Sequence, residues 1–130
     1  MPDDHVLTRL EPLALVALGG FVGALARHTV ASMLPGTVPW GTLAVNGLGS
    51  FALGVLLYER HFVDGLSAET RLIVGTGFLS SFTTYSTFAA ETATLAGGTM
   101  PILAVANVAG NYGVGFVGVL CGRWLARWLS

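Results

Sequence analysis

The sequence predicts an all-α membrane protein, a single domain over residues 1–130 built from four transmembrane helices. Hydrophobic residues make up 53% of the 130 positions, and the mean hydropathy is +0.72. Only 10% of the residues are charged, whereas soluble domains have about 25%. Between Arg71 and Arg123 the only charged side chain is Glu91. Because a spanning helix needs roughly 20 apolar residues, a chain of this length holds four spans and no separate soluble domain.

Charged residues and turn-forming residues divide the chain into its predicted spans. The boundaries are about 12–34, 40–58, 72–96 and 100–122. Trp40 and Tyr58 stand at the ends of the second span, as aromatic residues at the membrane interface do. The loop before the third span is the most polar, and we expect Ser67 to cap the following helix with Glu69 in its first turn. These boundaries place both termini and the 59–71 loop on one side of the membrane.

Small residues recur four positions apart within the spans. The spaced pairs are Gly19 with Gly23, Ser50 with Gly54, and Gly118 with Gly122. Such pairs let helix backbones approach closely, which is how helices associate in lipid. We therefore expect tight packing, with little room for a pore inside one chain, and this favours an oligomer.

Neutral polar residues occupy the predicted spans. They are Thr42, Asn46, Asn107, Asn111 and a run of hydroxyl side chains in the third span. Polar groups inside a membrane are costly and tend to be functional. A single asparagine, however, often only forms a hydrogen bond to a neighbouring helix. Three asparagines with a hydroxyl cluster indicate a polar track for a solute. Amide N–H and hydroxyl groups, together with positive aromatic ring edges, suit an anion.

The stretch GTGFLSSFTTYSTF, residues 75–88, is a poor helix interior. Its glycines, hydroxyl side chains and β-branched residues predict an interruption near Ser80–Thr83. Broken helices persist in membranes only where the freed backbone is buried in protein or lines a cavity. Freed carbonyls can coordinate hard cations such as Na⁺.

Several classes of function are excluded by what the sequence lacks. It contains no H-E-x-x-H, no G-x-S-x-G and no paired intramembrane carboxylates, so we expect no enzyme. Its histidines are scattered, and its net charge of −1 suggests no nucleic-acid partner. Glu91 is a candidate proton or ion site, and a capping or interhelical hydrogen-bond role is the alternative.

The second and third spans resemble the Fluc (CrcB) fluoride channels. The matching stretches are WGTLAVNGLGSFALGVLLY and TGFLSSFTTYSTFAAET, against family patterns W-G-T-L-x-x-N-x-x-G and G-F-x-G-G-x-T-T-F-S-T-F-x-x-E. The resemblance implies an antiparallel dimer with two narrow fluoride pathways and a third helix broken mid-membrane. It also implies a structural Na⁺, not transported, on the dimer axis, and passive fluoride export from the cytoplasm across the plasma membrane.

The resemblance carries roles over to individual residues. It implies a fluoride pathway lined by Thr42, Asn46, Tyr85, Phe88, Asn107 and Asn111. It implies main-chain Na⁺ ligands at Ser80 and Thr83, and it matches Arg27 to the arginine of the first helix. The hydroxyls of Thr84, Ser86 and Thr87 would face the anion path. The chain departs from the family pattern in having Ser80-Ser81 for Gly-Gly, Tyr85 for phenylalanine and Asn111 for serine.

Two rival functions remain open at this point. A small multidrug transporter needs a carboxylate in the middle of its first span, whereas Glu11 lies at the edge of that span. A non-conducting partner subunit is the second rival, which the departures at Ser80-Ser81 and Tyr85 leave open.

Arginine placement predicts how the chain inserts. One side would carry Arg9, Arg60, Arg71, Arg123 and Arg127, and the other only Arg27. The positive-inside rule then places both termini in the cytoplasm. An antiparallel dimer of such a biased chain needs an oppositely inserted paralogue, so the heterodimer stands beside the homodimer as a possible assembly.

Overall fold

The computed structural model describes residues 3–58 and 65–129, without the side chains of residues 3–7 and 9. All of its regular structure in these ranges is helical, which confirms the predicted class. The elements are α1 (Asp3–Met33), α2 (Trp40–Tyr58), α3 (Ala68–Arg71), a π-helical segment (Leu72–Leu79), α4 (Ser80–Phe82), α5 (Tyr85–Gly97) and α6 (Pro101–Leu129). Arg60 and the Arg9 side chain, both used in the orientation argument, lie outside the described residues.

Three helices are long and apolar enough to cross a membrane. They contain the stretches Leu10–Met33, Trp40–Tyr58 and Pro101–Leu129. The segment predicted as the third span is divided among α3, the π-helical segment, α4 and α5. No single helix of that segment is therefore long enough to cross alone.

The start of the third segment confirms the predicted cap. The Ser67 hydroxyl accepts a hydrogen bond from the Thr70 amide at 3.2 Å, and Glu69 lies in the first turn of α3. Two hydrogen bonds lower the pKa of Glu69 below its ordinary value of 4.5. The larger effect comes from the Ser67 side chain and the smaller one from the backbone. The Ser67 cap thus satisfies the Thr70 amide, one of the backbone donors at the start of the helical segment.

The π-helical segment packs closely against α1. Gly19 and Gly23 lie against the backbone carbonyls of Ile73 and Phe78, so a Cβ atom at either glycine would collide with them. π-Helical turns are rare and mostly occur singly, whereas this segment runs over Leu72–Leu79. Its backbone comes this close to α1 because both glycines lack side chains.

Helices α2 and α6 form the most extensive interface within the described chain. A Cβ atom at Gly54 would collide with the Val119 carbonyl, and one at Gly122 would collide with the Phe51 carbonyl. The predicted close approach at spaced small residues is therefore present here and at the α1 interface. It holds α2 and α6 near enough for their polar side chains to meet.

Large apolar side chains cover the outside of the helices. Examples are Leu13, Phe21, Ile102 and Phe116, each at least 65% exposed. An outer surface of this kind suits hydrocarbon or another apolar protein surface rather than water.

Candidate functional site

The helix is interrupted at Thr83 and Thr84. Helix α4 ends at Phe82, and Thr83 (ψ 158°) and Thr84 (φ −150°, ψ 121°) have extended backbones. The Thr84 side chain then caps α5, because its Oγ1 accepts from the Thr87 amide at 3.1 Å. Its hydroxyl also lies 3.0 Å from the Thr87 hydroxyl and 3.4 Å from that of Ser86.

Asn46 on α2 binds the backbone of this interruption at two atoms. Its Oδ1 accepts from the Thr84 amide at 2.8 Å, and its Nδ2 donates to the Thr84 carbonyl at 3.1 Å. The side-chain amide therefore replaces the main-chain partners that Thr84 would have in a continuous helix. Because Thr84 is buried, these bonds satisfy groups that water does not reach freely.

The interruption frees two carbonyl groups from helical pairing. In a continuous α-helix, the Ser80 carbonyl would accept from the Thr84 amide and the Thr83 carbonyl from the Thr87 amide. Those amides donate instead to Asn46 and to the Thr84 side chain. Neutral carbonyls released from an interrupted helix have the chemistry of Na⁺ ligands, so the carbonyl oxygens of Ser80 and Thr83 fit such an ion.

The Ser80 hydroxyl is directed back along its own helix. It donates to the Thr76 carbonyl and lies 3.2 Å from the Gly77 carbonyl. Serine at this position therefore keeps its carbonyl free while its side chain bonds to the preceding turn.

Hydrogen bonds link three asparagines and a threonine in a chain that we call the amide ladder: Asn46, Asn111, Asn107 and Thr92. Asn46 Nδ2 donates to Asn111 Oδ1 at 3.0 Å, and Asn111 Nδ2 donates to Asn107 Oδ1 at 3.0 Å. Asn107 Nδ2 then donates to the Thr92 hydroxyl at 2.9 Å. The predicted shared face of Asn107 and Asn111 on α6 thus meets α2 and α5.

Backbone groups at both ends fix the direction of the amide ladder. The Thr84 amide can only donate, so it orients the Asn46 side chain. At the other end, the Thr92 hydroxyl donates to the Phe88 carbonyl at 2.7 Å, and Asn111 also donates to the Asn107 carbonyl at 3.0 Å. The three hydrogen bonds that join the members of the amide ladder are therefore all donated in the same direction, from Asn46 toward Thr92.

One amide hydrogen of the amide ladder has no described acceptor. An asparagine amide has two N–H donors, and Asn107 uses one of them for Thr92. Within 3–58 and 65–129 no acceptor is found for the other. Asn107 is only 8% exposed, so a donor that could serve an anion lies in the protein interior.

A cavity of about 430 Å³ lies beside the interruption and contains the predicted aromatic residues. The Tyr85 and Phe88 rings are 5.7 Å apart, and the Tyr112 ring meets Phe88 edge to face at 6.1 Å. Asn46 and Asn111 share this cavity with Ser80, Thr83 and Thr84. Tyr85 is 73% exposed in the single chain, so the cavity is open on its outer side.

Arg27, Thr42, Thr84 and Thr87 line a second, smaller cavity of about 180 Å³. The Thr42 hydroxyl donates to Glu91 Oε1 at 2.7 Å, whereas Glu91 Oε2 is buried without a partner among the described groups. The interhelical hydrogen-bond role considered for Glu91 is therefore present. Its free oxygen remains available for another donor.

Thr92 and Tyr112 also belong to this site, although neither was among the residues predicted from the sequence. Thr92 follows Phe88 by one helical turn and Tyr112 adjoins Asn111, so their spacing to predicted site residues was the available signal. Ser86, in contrast, is exposed and reaches only the Thr84 hydroxyl.

Comparison of the sequence with known proteins shows which family the chain resembles. Residues 14–123 match the family described as "CrcB-like protein, Camphor Resistance (CrcB)". The protein named fluoride-specific ion channel FluC 1 of Natronomonas pharaonis is 58% identical over 118 residues, covering 91% of this chain and 96% of the relative. FluC 1 of Haloarcula marismortui is 53% identical (98% of this chain, 94% of the relative).

The same organism, Haloarcula marismortui, has a second relative. Its fluoride-specific ion channel FluC 2 is 41% identical to this chain, with coverage of 87% of this chain and 92% of the relative. Since the family match spans most of the chain and the relatives are aligned over nearly their full lengths, the chain belongs to the CrcB-like family, whose curated relatives are named fluoride-specific ion channels.

Proposed function

We propose that this chain is a fluoride channel subunit that lets fluoride leave the cytoplasm passively across the plasma membrane. The observation that carries the proposal is the amide ladder, which runs from the hydroxyl-rich helix interruption at Thr84 to a buried Asn107 with an unused N–H. The names of the relatives agree in specifying fluoride.

The chemistry of the amide ladder and its surroundings suits a small, strongly hydrated anion. Fluoride accepts hydrogen bonds strongly, so amide and hydroxyl donors can replace part of the water that it loses on entering. Each such bond is stronger in a medium of low dielectric constant than in water. Positive ring edges at Phe88 and Tyr85 add weaker attraction. A neutral pathway of this kind binds the ion without holding it so firmly that it cannot leave.

The open cavity supports assembly with an inverted second subunit. The exposed Tyr85 and the 430 Å³ cavity form one wall of a passage, and another subunit would supply the opposite wall. We further propose that Ser80 and Thr83 of each subunit direct their carbonyls toward a shared Na⁺ between the two interruptions. That ion would hold the subunits together and would not be transported.

The arginines favour a partner that is not identical to this chain. Arg123 contacts the ring of Tyr58 at the end of α2, whereas Arg27 lies beside Thr42 at the start of α2. These contacts put the two arginines at opposite ends of α2, which agrees with their predicted positions on opposite sides of the membrane. A chain with this bias would insert with its termini in the cytoplasm, and an inverted partner would be a paralogue. The two FluC proteins of Haloarcula marismortui provide a precedent for paralogues in one organism.

Fluoride efflux from liposomes tests the proposal. Vesicles loaded with fluoride and chloride would contain this chain alone, or this chain with a paralogue such as FluC 2 of Haloarcula marismortui. We expect fluoride release without chloride release from a verified dimer. Equal release of both ions, or release of neither from every verified dimer, would refute the proposal.

Variants of this chain then distinguish a conducting subunit from a silent partner. Asn107→Leu removes the unused donor, and we expect it to slow fluoride release at least tenfold. Val105→Leu, at an exposed position on the same helix, is the matched control and should leave release unchanged. If Asn107→Leu changes nothing while the paralogue's own variants abolish release, this chain is the non-conducting partner.

A further inference from the structure

The last turns of α6 carry two arginines and two tryptophans in a repeated pattern. Arg123 and Arg127 are four residues apart, as are Trp124 and Trp128, so each pair lies along one side of the helix. All four residues line a surface groove whose apolar part includes Leu120. The guanidinium groups start about 6 Å apart along the helix axis, given a rise of 1.5 Å per residue.

Arg123 packs against an aromatic ring. Its guanidinium carbon lies 4.9 Å from the centroid of the Tyr58 ring at the end of α2, a cation–π contact. Neither Arg123 nor Arg127 forms an ion pair with a carboxylate in the described ranges. Two positive charges therefore lie side by side without an acidic partner from that part of the chain.

The length of α6 places this cluster at the membrane surface. The helix has 29 residues, which at 1.5 Å each extend about 44 Å, whereas the hydrocarbon core is about 30 Å thick. A helix that enters the core at Pro101 leaves it about 20 residues later, just before Arg123. Trp124 and Trp128 are 69% and 74% exposed, as residues in contact with lipid headgroups are.

We propose that this groove binds the headgroup of an anionic phospholipid, with its phosphate between Arg123 and Arg127. Guanidinium groups bind phosphate oxygens in pairs of hydrogen bonds, and two of them favour a ligand with net negative charge. A zwitterionic headgroup would bring its own ammonium group near the second arginine and bind less well. The exposed indoles and Leu120 would contact the glycerol and the upper acyl chains, which a free phosphate lacks.

Native mass spectrometry of the assembled protein in detergent tests the site. The probes are phosphatidylglycerol and phosphatidylcholine of identical acyl chains. We expect the wild type to retain phosphatidylglycerol preferentially and the Arg123→Gln/Arg127→Gln variant to lose that preference. Since each arginine near an anionic surface contributes about 1 kcal/mol, the double variant should bind phosphatidylglycerol about 30-fold more weakly.

Arg71→Gln is the matched control for the loss of charge. Arg71 is predicted on the same side of the membrane, but its guanidinium already donates to the Leu66 carbonyl. The Arg71→Gln variant should leave phosphatidylglycerol binding unchanged, and circular dichroism should show that every variant is folded. The single variant Arg127→Gln, which leaves the Tyr58 contact intact, should weaken binding about fivefold.

Three results would overturn the proposal. The first is equal retention of the two lipids by the wild type. The second is an effect of Arg71→Gln as large as that of the double variant. The third is displacement of the lipid by millimolar glycerol phosphate, which would identify a soluble phosphate as the ligand. None of these readouts depends on fluoride transport, so the lipid site stands or falls separately from the proposed channel function.

Discussion

Replacing Asn46 with alanine should destabilise the fold more than replacing any other member of the amide ladder. Asn46 makes three side-chain hydrogen bonds, two of them to the amide and carbonyl of Thr84. Bonds between membrane helices average about 0.6 kcal/mol, which gives about 2 kcal/mol for three. Each of the two Thr84 groups left unpaired in the interior costs about 1–3 kcal/mol, so we expect a loss of about 2–6 kcal/mol.

Asn107→Ala is the matched truncation. It removes the donation to Thr92 and one of the two acceptors for Asn111, whose bond to the Asn107 backbone remains. Its expected cost is about 1 kcal/mol. Asn46→Asp keeps the acceptor for the Thr84 amide but places a carboxylate oxygen against the Thr84 carbonyl and Asn111 Oδ1, so it should cost at least as much as Asn46→Ala.

Unfolding in detergent micelles with increasing denaturant, followed by tryptophan fluorescence, measures these free energies. If Asn46→Ala costs no more than Asn107→Ala within about 0.5 kcal/mol, then Asn46 does not hold the interruption. The role assigned to its amide would then be wrong.

Four further predictions concern packing, the loop, the proposed cation and orientation. Gly122→Ala should prevent α2 and α6 from packing, because its Cβ would strike the Phe51 carbonyl, whereas Gly113→Ala, with open space around it, should be tolerated; thermal unfolding separates them. The pKa of Glu69 should rise toward 4.5 in Ser67→Ala when followed by NMR titration. Because the pKa of Glu69 is lower in the folded state, its hydrogen bond to Ser67 stabilises the fold at a pH above the unfolded-state pKa, and this stabilisation is lost as the pH falls through the folded-state pKa. Exchanging Na⁺ for a bulky organic cation should lower dimer stability by linkage, and an unchanged dimer would count against the cation site. Reporter fusions at the C-terminus should be active only in the cytoplasm, and equal activity on both sides would favour a homodimer.

The sequence was most informative where a feature depends on nearby residues. The Ser67 cap, the spaced glycines and the shared face of Asn107 and Asn111 each follow from positions three or four apart, and the structure contains all three. The helix geometry alone links such residues, so no knowledge of the fold was needed.

Contacts between distant residues were not predictable in the same way. Asn46 and Thr84 are 38 positions apart, and Thr42 and Glu91 are 49 apart. The sequence marked these residues as polar but did not show that the asparagine would pair with backbone atoms. The π-helical winding over Leu72–Leu79 also had no signal, because an apolar segment has no polar face whose period would reveal the change in winding.

The single direction of the amide ladder has an electrical consequence. From Asn111 to Asn107 it descends one turn of α6, so its aligned N–H dipoles add to a small field along the helix. Two identical subunits packed head to tail would carry equal and opposite fields, and a permeating ion would meet the same barrier from either face. The fields of two unlike subunits would differ in size and would not cancel in this way. Rectification of the fluoride current would then be the electrical signature of a mixed pair, and a symmetrical current–voltage curve that of a matched one.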